Sequence, residues 1–416
     1  MTQSAPDTPK NPTEPKLPRR DWILLPMICL MTICGVAGST ELIARRLFPL
    51  RKGVGSHCLV TNDRSTGVRA VPNSVCRSGV AESEPVQYRF NSCGFRTEQE
   101  CGPKPPGTYR IVLVGSSFAL GSGVQQDEAF GPLLAGELSR RTGRRIEVYN
   151  EGEFWAVPRV ISMHFPHALA AQPDLVLWTL TGWDVQNTSI LLPEDYSPEP
   201  PPNAAAGNEH STGTPGTNLV TLWRRAKAAM NFSSFRNTVK GFGQQTQTLI
   251  MIRHFLWESQ SLFVKDSLRR GGQEGEFLQS QPSAHLQNSL QQFNGYVADV
   301  EQRTTAAGVP VAVAVVPLRA QAAIVSMGEW PAGIDPHKAD NEIRSIIETH
   351  GGIYIDVLRD FRTIPNPEQY YLPIDGHLTV AGNALVARIL ADELTSGAVP
   401  ALKVDSQARI APEQSK

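Results

Sequence analysis

Apolar positions along the chain fall into three regimes. The stretch WILLPMICLMTICGVAGST, Trp22 to Thr40, is apolar on every face and carries no charge. From about residue 107 onward, short unbroken apolar runs alternate with segments whose apolar residues recur at helical spacing. Polar, glycine- and proline-rich segments with neither period lie between and around them.

Unbroken apolar runs of about four to eight residues suit strands buried on both faces. IVLV (111–114) fits this description, and IEVYN (146–150), DLVLWTL (174–180), VPVAVAVVP (309–317) and IYIDVL (353–358) read as further strands. Between them, Phe130, Leu133, Leu134 and Leu138 share one helical face closed by Gly143, and Leu286, Leu290, Phe293, Val297 and Val300 form a stripe closed by Gly308. Residues 157–171 read as a helix interrupted at Pro166, DNEIRSIIETHGG as a helix stopped by Gly351 and Gly352, and a last helix follows His377 to about Leu394. Strand and helix alternating at these spacings imply right-handed crossovers and a mainly parallel sheet, an α/β fold.

The expected organisation is a disordered tail (1–20), a membrane helix with its extension (21–48), a cysteine-containing stalk or cap (49–106), the α/β domain (107–396) and a polar tail (397–416). An insertion at about 196–284 interrupts the domain. Its low-complexity part, 198–218, reads as a disordered excursion. Its helical fragments, 219–270, leave open a lid, a substrate wall or a partner surface.

As a helix, the run from Trp22 to Thr40 spans roughly 28 Å, enough to cross a bilayer. A cleaved signal peptide ending near VAGS and a buried core helix are the competing readings; the length of the run and the polar tail ahead of it favour a retained span. Basic residues flank it on both sides, Lys10, Lys16, Arg19 and Arg20 before and Arg45, Arg46, Arg51 and Lys52 after, so charge alone leaves its orientation undecided. Cys58, Cys76, Cys93 and Cys101 cluster beyond it without the paired spacing of a zinc site, which suits two disulfides on an oxidising side. This places the tail in the cytoplasm and the body outside. A net charge of −1 gives no basic face for nucleic acid.

Ligands of open parallel sheets bind at the carboxyl ends of the strands. There the first strand turns into GSSF (115–118), which matches neither a P-loop, nor a dinucleotide fingerprint, nor the G-x-S-x-G elbow, since Ala119 takes the second glycine's place. Near the other end of the chain, DGHL (375–378) sets Asp375 and His377 on one loop. Ser117, His377 and Asp375 thus supply a nucleophile, a base and a group to orient the base; the bland alternative has Asp375 capping the last helix.

The blocks IVLVGSSFALGSGV, YNEG (149–152), TLTGWDV (179–185) and DGHL, in this order, resemble those of the SGNH hydrolases, also called the GDSL lipase and esterase superfamily. FNSCGFR (90–96) further resembles the membrane-anchored bacterial branch. The resemblance implies a three-layer α/β/α sandwich on the inner membrane with its domain on the periplasmic side. It implies Ser117 as nucleophile, His377 as base and Asp375 as its orienter, with the N–H groups of Ser117 and Gly152 on the oxyanion. Ser116 and Trp183 depart from the pattern, Trp183 standing where the family's oxyanion asparagine is expected; Asn187 is the nearby replacement donor. Trp183 and Asp184 are expected to meet substrate; Trp155 and Trp183 follow strands, where aromatics more often serve packing than a sugar-stacking floor.

The activity so implied is a serine esterase or acyltransferase acting on acyl (O-acetyl) esters of a cell-envelope glycan, with no cofactor or metal. A non-catalytic binding or scaffold protein in envelope polysaccharide assembly is the alternative. His164 and His167 sit three apart but have no evident acidic partner for a metal site.

Overall fold

The computed structural model describes residues 18, 20–47, 58–63, 67–79, 82, 84–188, 246–270 and 273–404. They divide into two units, residues 1–49 with 230–251 and residues 50–229 with 252–416. In the first, Asp21–Leu47 is a single helix of 27 residues, long and apolar enough to cross a membrane. The expected low-complexity excursion at 198–218, nearly all of the expected N-terminal tail and residues 405–416 of the C-terminal one lie outside the described residues.

The second unit opens with two antiparallel pairs, β1 (Leu59–Asp63) with β2 (Gly67–Ala70) and β3 (Val75–Ser78) with β4 (Val86–Arg89). Two disulfides, Cys58–Cys76 and Cys93–Cys101, pin this region. Five strands follow: β5 (Thr108–Gly115), β6 (Arg145–Gly152), β7 (Leu175–Leu180), β8 (Val311–Val315) and β9 (Ile353–Ile355). All neighbours are parallel, in the order β6-β5-β7-β8-β9.

Side chains alternate across this sheet with period two, and both faces are covered. Ile111, Leu113, Leu175, Leu177, Ala312 and Ala314 pack on one side with Leu134 and Leu138 of the helix Phe130–Thr142 and Leu385 and Ile389 of Val380–Glu393. Val112, Val114, Val176, Trp178, Val311 and Val313 pack on the other with Phe165 of Pro158–Ala170, Phe293 of Ala284–Ala307 and Ile343 of Lys338–Thr349. Two covered faces explain why the strands are rich in apolar residues, and they give the three layers. From β5 the chain steps to β6 on one side and returns to β7 on the other, so the crevice of the sheet opens at the carboxyl end of β5.

The structure revises two expectations. Pro166 does not interrupt its helix, which runs unbroken over Pro158–Ala170. A proline leaves the carbonyl four residues earlier without its usual donor, and that carbonyl, of Ser162, instead accepts from Arg303 Nη1 at 3.1 Å. Nor does the domain end at residue 396: helical turns at Leu394–Ala398 and Pro400–Leu402 follow, and Leu402 is buried.

Arg96, in the FNSCGFR segment, ties the disulfide-bonded region to the sheet. Its Nη1 donates to the carbonyls of Leu120 (2.6 Å) and Gly121 (2.7 Å), and its Nη2 to that of Val124 (2.7 Å). The guanidinium stacks on Tyr88 at 4.4 Å, and burial lowers its pKa to about 10. Arg96→Met removes the guanidinium donor from all three carbonyls, of which only that of Gly121 keeps a backbone donor among the described residues, Val124 N–H at 3.4 Å, and is expected to lower the unfolding free energy by about 3 kcal/mol or more. Denaturant titration would show this as a lower midpoint at unchanged slope.

Candidate active site

The site grows from the end of β5. Gly115 lies so close to β7 that a Cβ there would stand 2.4 Å from the Thr179 carbonyl oxygen, which only glycine permits. The chain then enters the short helix Ser117–Leu120, with Ser116 in extended conformation as its N-cap. Ser117 is therefore the first residue of a helix, where backbone N–H groups have no intrahelical acceptor.

Residues from the far end of the chain meet it. The Ser117 hydroxyl donates to His377 Nε2 at 2.7 Å. His377 Nδ1–H donates to Asp375 Oδ1 in a short hydrogen bond. A carboxylate only accepts, so Asp375 fixes the tautomer that leaves Nε2 free to take the serine proton. The loop is closed by Leu372 N–H donating to the His377 carbonyl (2.8 Å), and Thr379, not Asp375, caps the following helix by accepting from Gly382 N–H. Ser117, His377 and Asp375 together line a cavity of about 540 Å³.

Ser117, His377 and Asp375 are thus assembled at the carboxyl end of a five-stranded parallel sheet. Residues 273–414 match the family described as SGNH hydrolase-like domain, acetyltransferase AlgX. That segment, which carries Asp375 and His377, is thus similar to an SGNH hydrolase-like domain. Among solved structures, an α/β-hydrolase enzyme, LAE5, from the metagenome of Lake Arreo is 12% identical over 71% of this chain and 97% of its own, with a TM-score of 0.36. An acetyl xylan esterase, AlAXEase, is 12% identical over 68% and 97%, with a TM-score of 0.35. A lipase/acylhydrolase from Enterococcus faecalis is 11% identical over 74% and 100%, with a TM-score of 0.33. No curated sequence matches the chain.

Two expected oxyanion donors are placed elsewhere. Gly152 ends β6 beside Gly115, and its N–H donates to Asn150 Oδ1 at 2.8 Å. It is wedged under the helix that begins at Ser117, where a Cβ would fall 2.2 Å from Leu120 N, so its glycine identity serves close packing. Asn187 directs Nδ2 to the Trp183 carbonyl at 2.8 Å, in its own turn of helix, and does not line the cavity. Trp155 does line it, with its backbone in the left-handed region (φ 64°) and its N–H without an acceptor among the described residues. Its ring meets that of Trp183 edge-on at 5.3 Å, and both indoles form one wall of the cavity. Trp257 and Phe263, from the helices Gln247–Trp257 and Gln260–Arg270, form part of another, so the described part of the insertion is a cavity wall.

Asp184 also lines the cavity, but its Oδ2 is spent on positioning. It accepts from Ser116 Oγ (3.0 Å), Thr181 N (2.7 Å) and Thr181 Oγ1 (2.8 Å), and so anchors the residue just before Ser117. Burial pushes its pKa from 3.8 up to about 6. With the folded pKa raised, this group's contribution to stability is full below about pH 4 and is lost as pH climbs through about 6, roughly 2–3 kcal/mol in all. Wild-type stability is therefore expected to fall by that amount relative to Asp184→Asn between pH 4 and 7. A difference constant with pH in paired denaturant titrations would count against it.

His164 and His167, for which no acidic partner is evident in the sequence, each have one: Glu153 at 3.2 Å and Glu151 at 2.5 Å. They are two separate pairs behind the carboxyl end of β6.

Proposed function

We propose that this chain is a membrane-anchored, extracytoplasmic serine esterase or acyltransferase acting on acyl (O-acetyl) esters of a cell-envelope glycan. The observation that carries the proposal is the Ser117 hydroxyl 2.7 Å from an imidazole whose other nitrogen is held by a carboxylate. Ser117 Oγ attacks the acyl carbon while its proton passes to His377 Nε2. The N–H groups of Ser117 and Trp155 hold the oxyanion. The bond to the leaving alcohol breaks, and that oxygen takes the proton from Nε2. An acceptor hydroxyl, or water, then repeats the sequence on the acyl-serine. Transfer is supported by the acetyltransferase description of the matched family, a sugar ligand by the Trp155–Trp183 wall, and placement outside by the two disulfides and the apolar helix Asp21–Leu47.

The full chain in detergent, given an acetylated oligosaccharide and an unacetylated acceptor, is expected to carry acetyl on the Ser117 peptide and to pass it to the acceptor. Acetate as the sole product would make it a hydrolase. A folded protein in which neither this donor nor a fluorophosphonate modifies Ser117 would overturn the reading in favour of a binding protein, for which Trp183 in the asparagine position is the supporting observation. An alkaline phosphatase reporter fused after residue 106 is expected to be active; a stable but inactive fusion would reverse the orientation.

A further inference from the structure

The loop that carries Asp375 and His377 is held from outside by a residue that no motif marks. Glu82 lies in the connection between β3 and β4, yet its side chain is only 2% exposed. Its Oε2 accepts the backbone N–H groups of Ile374 (2.7 Å) and Asp375 (3.0 Å). Its Oε1 accepts from His254 Nδ1–H at 2.6 Å. The same loop is gripped a second time: Arg319 Nη1 donates to the Pro373 carbonyl at 2.8 Å while its Nη2 donates to that of Trp257. Glu82 thus joins three segments far apart in the chain, the disulfide-bonded hairpin, the wall helix Gln247–Trp257 and the loop of the catalytic base.

We propose that Glu82 is a positioning residue for the Asp375–His377 loop and that the Glu82–His254 pair is a clasp which must close for the relay to align. A buried carboxylate is costly unless its lone pairs are matched, and here they are matched by the backbone of the residue that orients the base. Cys76, bonded to Cys58, sits in β3 on the near side of the connection and restrains the hairpin that delivers Glu82. Without the clasp, Ile374 and Asp375 lose two charge-assisted hydrogen bonds, and the imidazole loses its fixed bearing on Ser117. Displacement of a catalytic group by about 1 Å costs on the order of 100-fold in rate.

The inference rests on the acyl-transfer reading, but half of its test does not use the chemistry. In the full chain in detergent, Glu82→Ala is expected to speed amide hydrogen exchange at Ile374 and Asp375. It should also lower kcat on a small acetyl ester about 10- to 100-fold with KM moved less than about threefold. Glu82→Gln can still present an oxygen to both amides and should retain kcat within about fivefold. Should Glu82→Ala not fold, His254→Ala leaves the two amide bonds in place, frees the carboxylate, and should give a smaller loss, about 3- to 10-fold. Unchanged exchange at the two amides in Glu82→Ala, or wild-type kcat in folded Glu82→Ala or His254→Ala, would overturn the clasp. A wild-type protein inert to acetyl ester and fluorophosphonate would sink the nucleophile reading and with it the clasp's catalytic role, while the exchange data still decide whether Glu82 holds the loop.

Discussion

Ser117→Ala is expected to lower acyl transfer by about 10⁴-fold or more and to leave stability within about 0.5 kcal/mol, since it deletes one oxygen from the cavity surface. The geometry makes a second, sharper demand. Asp375→Asn preserves shape, but an amide facing His377 Nδ1 can present its NH2 group, which turns the imidazole to the tautomer with its proton on Nε2, facing Ser117. No base then remains for the serine proton, and a loss of about 10⁴-fold is expected from that change alone. Because the three groups act as one relay, the double variant Ser117→Ala, Asp375→Asn should be little worse than either single one. Steady-state rates on one acetyl ester, with circular dichroism to confirm folding, check all three. Losses that multiply would mean that Asp375 acts apart from Ser117, contrary to its contact with the His377 ring.

The layers of the fold are legible because strands covered on both faces are rich in apolar residues, and β5 to β9 each fall on a segment that the sequence marks as a strand. The relay is legible because Ser117, His377 and Asp375 sit where strand ends and loops converge in a parallel sheet. What surrounds them is less so. Gly152 follows its strand as an oxyanion donor would, yet whether its N–H faces substrate or Asn150 depends on how β6 meets the nucleophile's helix. Glu82 belongs to no pattern, because its partners are backbone groups almost three hundred residues away and an isolated glutamate in a polar connection reads as solvated. The partners of His164 and His167 were hidden for a similar reason: Glu151 and Glu153 lie on a strand end, and only the crossover helix brings the histidines beside them. Pro166 misleads as a helix breaker because the group that satisfies the orphaned carbonyl, Arg303, comes from another helix.

Trp155 carries the remaining prediction. Oxyanion holes need donors fixed before the charge develops, and the described residues near Ser117 offer few backbone amides that are not already engaged. A tryptophan in the left-handed region is strained by roughly 1–2 kcal/mol relative to glycine. That conformation aims the backbone, so the prediction concerns the amide and not the indole. Replacing the Trp155 amide by an ester, through an α-hydroxy analogue of tryptophan, keeps the side chain and removes one N–H; kcat is expected to fall about 100- to 1000-fold, the usual effect of losing one oxyanion donor. Trp155→Gly keeps the N–H and relieves the strain while giving up a half-exposed ring. On a small acetyl ester its kcat should stay within about tenfold of wild type, with any larger penalty confined to sugar-borne substrates that use the indole wall. The opposite pattern, an ester variant with full kcat and a glycine variant without activity, would move the donor away from residue 155 and make the indole itself the group that matters.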